Sequence, residues 1–182
     1  MKKKERNNTA MISFELGINV DDDRWLDALA NIETLSENVA NTAFNYMELN
    51  TDLSSIDFNK PLLIGLSLSN DDIVHKYNKE FRGIDRPTNV LSFANIDDDD
   101  FASEAELYDE VELGDIIIAY ETTSREAEEK HISLHDHYCH LLVHGLLHLM
   151  GYDHQLDAEA EVMEAHETNI LKELNISNPY TE

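Results

Sequence analysis

The stretch His144 to His154, HGLLHLMGYDH, sets three histidines in an otherwise apolar run. His144 and His148 are four residues apart. On a helix they lie one above the other on the same face and can point at one metal ion. Gly151 follows three residues after His148, where a helix can end in the left-handed conformation that glycine adopts without steric cost. The chain then turns back, and His154 supplies a third imidazole. Three imidazoles leave the fourth position of a tetrahedral zinc open, which is what a catalytic site needs. The expectation is one zinc ion per chain, held by His144, His148 and His154, on a metal-binding helix in the C-terminal half.

Chance must be weighed, because the chain has 9 His. His140 and His144 are also four apart, yet His140, His144 and His148 span about 12 Å of helix at roughly 1.5 Å per residue. Zinc to nitrogen bonds are about 2 Å, so one ion cannot hold all three. Only the pair His144 and His148 is followed by a glycine turn and a further His, which leaves His137 and His140 to support the ligands or to pack. The same spacing occurs in metzincin proteases, which carry Glu after the first His as general base. Here that position is Gly145, which cannot take a proton.

Working outward, 182 residues with 42% hydrophobic content suit one domain with a sizeable core. The single cysteine, Cys139, rules out an internal disulfide and fits a reducing cytoplasm. It falls nearly opposite His148 on the helical wheel, a core position. No apolar run approaches the roughly 20 residues of a membrane span, and the start MKKKERNNTA MISFELGINV does not read as a secretion signal. Residues 1–10 are expected to be a basic, flexible tail, with residues 11–182 as the single domain. The formal charge of −25 argues against non-specific nucleic-acid binding. Most Lys and Arg, however, lie in the tail and between Lys60 and Arg86, so a local basic patch can still hold a phosphate, with distant acids screened beyond about 8 Å.

Met11 to Val20 alternates as a half-buried strand does. Asp21 to Met47 reads as one helix with an Asp cap. PLLIGLSLS is a second strand, and Asn70 can cap a helix with Ile73, Val74, Tyr77 and Phe81 on its apolar side. RGIDRPTN is a loop and VLSF a short strand. The acidic stretch at about 94–112 is expected to be a loop or a partly disordered insert. GDIIIAY is a strand, ETTSREAEEKH a helix, and Ser133 can cap the helix that carries His144 and His148. A last helix, Asp157 to Leu174, puts Val162, Met163, His166, Ile170 and Leu174 on one core stripe. The fold class is α/β (α+β): a single domain with a small mixed sheet packed against helices.

RGIDRPTNVLSF, LGDIIIA, HGLLHLMGYDH and EAEVMEAHETNILKELNISNPY occur in that order. Together they closely resemble the YbeY family of bacterial endoribonucleases, from about Leu62 to the C-terminus. The resemblance implies a metal-dependent, single-strand-specific endoribonuclease. Such an enzyme acts in the cytoplasm with rRNA and ribosomal components as partners, in 16S rRNA 3′-end maturation and ribosome quality control. It also implies that His144, His148 and His154 are the zinc ligands and that Arg82 handles RNA and serves activity. Two departures stand out: Ala94 follows LSF where the family usually has Pro, and the acidic stretch after it is long.

The residues also argue for themselves. Three neutral imidazoles leave the full charge of zinc in place, which suits a phosphodiester oxygen. An arginine fork matches phosphate oxygens in two hydrogen bonds; Arg82 is the first candidate and Arg86 the second, against the reading of Arg82 as a helix-end residue favoured by the dipole. Asp153 and Asp115 each admit a structural or a functional role. The competing readings are a zinc peptidase, which the metal spacing favours and Gly145 opposes, and a non-catalytic assembly factor whose metal only fixes the fold.

Overall fold

In a computed structural model, residues 12–181 are described apart from 52, 54 and 55; the basic tail read from the sequence, and Met11, lie outside them. The strands are β1 (Phe14–Val20), β2 (Leu62–Ser69), β3 (Val90–Ala94) and β4 (Val111–Ala119). They form a sheet in the order β1-β2-β4-β3, with β3 antiparallel at the edge and the other pairs parallel. The helices are α1 (Arg24–Ala28), α2 (Ile32–Asn50), α3 (Asp71–Arg82), α4 (Phe101–Leu107), α5 (Tyr120–Glu129), α6 (Leu134–Leu149) and α7 (Asp157–Glu173). This is the α/β domain with a small mixed sheet that the sequence predicts.

Alternation decides which face each strand buries. Leu62, Ile64, Leu66 and Leu68 of β2 share one core with Ile116 and Ile118 of β4, with Val39, Phe44 and Met47 of α2, with Leu142 and Leu146 of α6, and with Met163 and Ile170 of α7. The alternation of β4 breaks where its register with β2 shifts, and Gly114 takes φ +124° there. A bulge adds one residue to one strand of a pair, which keeps both Leu113 and Ile116 in the core. A smaller cluster of Val74, Leu91, Ile117 and Ala119 lies between α3 and the other face of the β3–β4 half.

Caps behave as expected at two helices. Asn70 Oδ1 accepts the Ile73 N–H at 3.0 Å, and Ser133 Oγ accepts the Asp136 N–H at 3.0 Å. Four expectations are corrected. The single helix from Asp21 to Met47 is broken between α1 and α2, where Asn31 takes φ +55°, a left-handed conformation that a short amide tolerates better than most side chains. The acidic stretch at 94–112 is not a plain loop. It holds a 3-10 turn (Asn95–Asp97), α4, whose Phe101 is buried, and the start of β4. Lys60 Nζ also ties the end of α4 down, donating to the carbonyls of Ala105 and Tyr108, each at 2.7 Å. On α7, Val162 turns outward at 50% exposure, and buried Glu167 and Leu171 take places in the stripe. On α3, Phe81 is 58% exposed and stacks with Tyr77 on the surface. Among the described residues no helix is long and apolar enough to cross a membrane.

Candidate metal centre

Helix α6 runs across β3 and β4 with Cys139, Leu142, Val143 and Leu146 buried. The opposite edge of the helix carries His144 and His148 to the rim of a cleft of about 540 Å³. The helix ends in a Schellman turn: Gly151, at φ +87°, donates its N–H to the His148 carbonyl at 2.9 Å, and Tyr152 donates to the Leu147 carbonyl at 3.0 Å. The turn brings His154 back over the helix end, with ring centroids 5.3 Å from His144 and 5.1 Å from His148. One nitrogen from each of the three rings lies within 4.8 Å of the others.

The outer nitrogens settle the tautomers. His148 Nδ1 faces the Tyr152 carbonyl at 2.9 Å, which can only accept, so Nδ1 carries the proton. His144 Nδ1 faces Glu167 Oε1 at 2.7 Å. Burial pushes the Glu167 carboxyl up, but hydrogen bonds from His140 and His144 outweigh it and hold the group at about 2, so it too accepts. Burial, with His144 and His154 alongside, brings His148 down to about 4, so at cellular pH it is a neutral imidazole able to bind a cation. With both Nδ1 atoms protonated, the two Nε2 atoms face each other at 3.1 Å as lone pair against lone pair. A tetrahedral zinc asks for ligand nitrogens roughly 3.3 Å apart. The donor set therefore fits a metal cation, and imidazole suits zinc, copper, iron or nickel.

The sequence missed Glu167, which α7 contributes. Its side chain is 1% exposed and accepts from His140 at 2.9 Å, from His144, and from the Tyr180 hydroxyl. A signal existed, because Glu167 falls on the buried side of α7 between Met163 and Ile170. His140 thus shares the carboxylate that holds the His144 ring. His137 instead bonds Glu126 of α5 at 2.8 Å, and Asn89 of the loop before β3 bonds the same carboxylate oxygen at 2.8 Å. Asp153 accepts the His154 N–H at 2.7 Å, closing the turn. Cys139 is buried, and burial first, with Asp136 nearby, pushes its thiol up to about 12.

The cleft also brings in both arginines. Arg82, the last residue of α3, donates from Nη2 to the Ser92 carbonyl of β3 at 3.0 Å, and Arg86 lines the same cleft. At Gly145 a Cβ would stand 2.9 Å from Ile116 Cδ1. The position where metzincins carry their base is filled by the sheet.

Fold and site together define the class: a small α/β protein whose three converging imidazoles can hold a metal ion beside an arginine-lined cleft. The family model described as endoribonuclease YbeY matches residues 19–175, and the chain belongs to that family. A protein named endoribonuclease YbeY from Sphingopyxis alaskensis is 45% identical over 160 residues, 87% of this chain and 92% of the relative. Another of that name from Paramagnetospirillum magneticum is 38% identical over 173 residues, 94% and 98% of the two chains. A solution structure of a Thermotoga maritima protein shares the fold at TM-score 0.51 and 20% identity, covering 92% of this chain and 100% of that one.

Proposed function

We propose that the protein is a zinc-dependent endoribonuclease specific for single-stranded RNA, acting in the cytoplasm with ribosomal components. There it would serve 16S rRNA 3′-end maturation and ribosome quality control. Family membership supports phosphodiester hydrolysis of RNA, and the ribosomal setting is what the motif resemblance implies. The observation that carries the metal dependence is the pair of Nε2 lone pairs at 3.1 Å in the cleft that Arg82 and Arg86 line. When bound, a divalent metal on three neutral imidazoles keeps its full charge and supplies Lewis acidity toward a phosphodiester. Glu167 and the Tyr152 carbonyl hold the ligand rings in the right tautomer, so no reorganisation is left for the reaction. Arg82 spends one donor on Ser92 and keeps the others of its fork for phosphate oxygens. The packing of Gly145 on Ile116 leaves no room for the protease base, which speaks against peptide hydrolysis.

The test is metal analysis of protein purified without a nickel column, with cleavage assays on single-stranded RNA, duplex RNA and casein. We expect about one equivalent of zinc, cleavage of the single strand, and neither metal nor cleavage in His148→Ala and His144→Ala. Full metal occupancy in His148→Ala overturns the ligand assignment. Chelator-sensitive proteolysis that His144→Ala lacks overturns the substrate.

A further inference from the structure

Strand β3 is one of the two edges of the sheet, and its register shows which main-chain groups face outward. The Asn89 carbonyl accepts the Ala119 N–H at 2.8 Å, and the ladder runs on through Leu91 with Ile117 and Phe93 with Asp115. Antiparallel residues alternate between pairs that exchange both hydrogen bonds and pairs that exchange none. Asn89, Leu91 and Phe93 therefore face β4, and Val90, Ser92 and Ala94 turn their main-chain groups away from it. Side-chain partners agree: Asn89 Oδ1 accepts the Val90 N–H at 2.7 Å, and Arg82 holds the Ser92 carbonyl. The Ser92 N–H points the same way with no partner among the described residues. Its hydroxyl is buried without a partner as well, in a residue only 9% exposed that lines the cleft together with His144 and His148.

We propose that Ser92 is a substrate-binding residue. Its outward N–H and its hydroxyl, with the unengaged donors of Arg82, seat one phosphate oxygen of single-stranded RNA at the β3 edge. The inference rests on the RNA-cleaving reading of the site. The free Arg82 N–H groups and the Ser92 N–H are donors and the Ser92 hydroxyl can donate, and an ionised phosphate oxygen accepts several hydrogen bonds at once. The bond from Arg82 to the Ser92 carbonyl anchors the guanidinium on the same residue whose donors are free. An extended peptide would need alternating N–H and carbonyl groups along the edge. Here the Val90 N–H and the Ser92 carbonyl are already taken by side chains, so an incoming strand loses part of its ladder where a phosphate loses nothing.

Ser92→Ala separates this role from packing. The probe is a fluorescein-labelled 2′-O-methyl oligoribonucleotide, checked on a gel for integrity and titrated by anisotropy against the zinc-loaded chain. We expect a Kd roughly tenfold weaker, in keeping with loss of a hydrogen bond to a charged group, and unchanged zinc content. The unfolding midpoint should stay equal or rise, because a buried unpaired hydroxyl has been removed. An unchanged Kd overturns the role of Ser92 and leaves the RNA reading standing. A wild-type chain without saturable binding overturns both. A Ser92→Ala chain that unfolds early or fails to fold assigns the hydroxyl to packing and overturns the proposal.

Discussion

Glu167 is the residue on which the histidine cluster leans. Its carboxylate accepts hydrogen bonds from His140 and His144, one turn apart on α6, and from Tyr180 beyond α7. Carboxylates that orient a metal-bound histidine are commonly worth about 10–100-fold in metal affinity. An amide presents one accepting and one donating arm, so Glu167→Gln strands one of the two imidazoles and lets its tautomer change. The expected outcome is metal binding weaker by about that factor in a chelator competition, with the circular dichroism of the fold retained. Equal affinity would reduce Glu167 to a folding contact. The contrast with the three converging histidines shows what a sequence carries at this scale. His144, His148 and His154 are legible because helix periodicity and one glycine turn convert spacing into proximity. The partner of His144 stands 23 residues away, and only the oddity of an acid on an apolar stripe points to it.

Elements whose edges are set by local chemistry agree with the sequence: the helices capped by Asn70 and Ser133, the alternating β1 and β2, and the turn at Gly151. Where tertiary contact decides, the sequence is silent. Nothing in DALANIETL announces the break at Asn31, and the acidic segment folds because Phe101 finds a core and Lys60 closes the end of α4. The tie among α5, α6 and the loop before β3 is of this kind, since Glu126 joins His137 to Asn89 across three segments. Burial raises the Glu126 carboxyl, but the hydrogen bonds from His137 and Asn89 outweigh it and leave it below its ordinary value. A carboxylate depressed in the folded state contributes stability that is present above its unfolded pKa, about 4.3. That stability drains away as pH falls below this value through the folded one. Glu126→Gln should therefore lower the urea midpoint at pH 7 and flatten its fall between about pH 5 and 3. Parallel curves for the two proteins across that range would show that the tie carries no such linkage.

For the whole molecule the question is how a chain of formal charge −25 engages a polyanion. Acids on distant faces are screened at physiological salt, beyond about 8 Å, and the cleft gathers Arg82, Arg86 and three imidazoles that can hold a dication. Few phosphates are neutralised in such an arrangement. For two phosphates the log–log salt slope is about −1.4, so binding should weaken only roughly sevenfold from 50 to 200 mM, far less than for a protein with a broad basic face. Arg82→Ala should lower single-turnover RNA cleavage with zinc content and unfolding midpoint unchanged. The salt slope should become shallower by about 0.7, the share of one phosphate. Arg82→Lys should recover only part of the rate, because an ammonium cannot both hold the Ser92 carbonyl and present a planar two-bond fork to phosphate. Cleavage unchanged in Arg82→Ala would make Arg82 a helix-end residue that merely braces β3, and the grip on phosphate would pass to Arg86 and the free donors of Ser92.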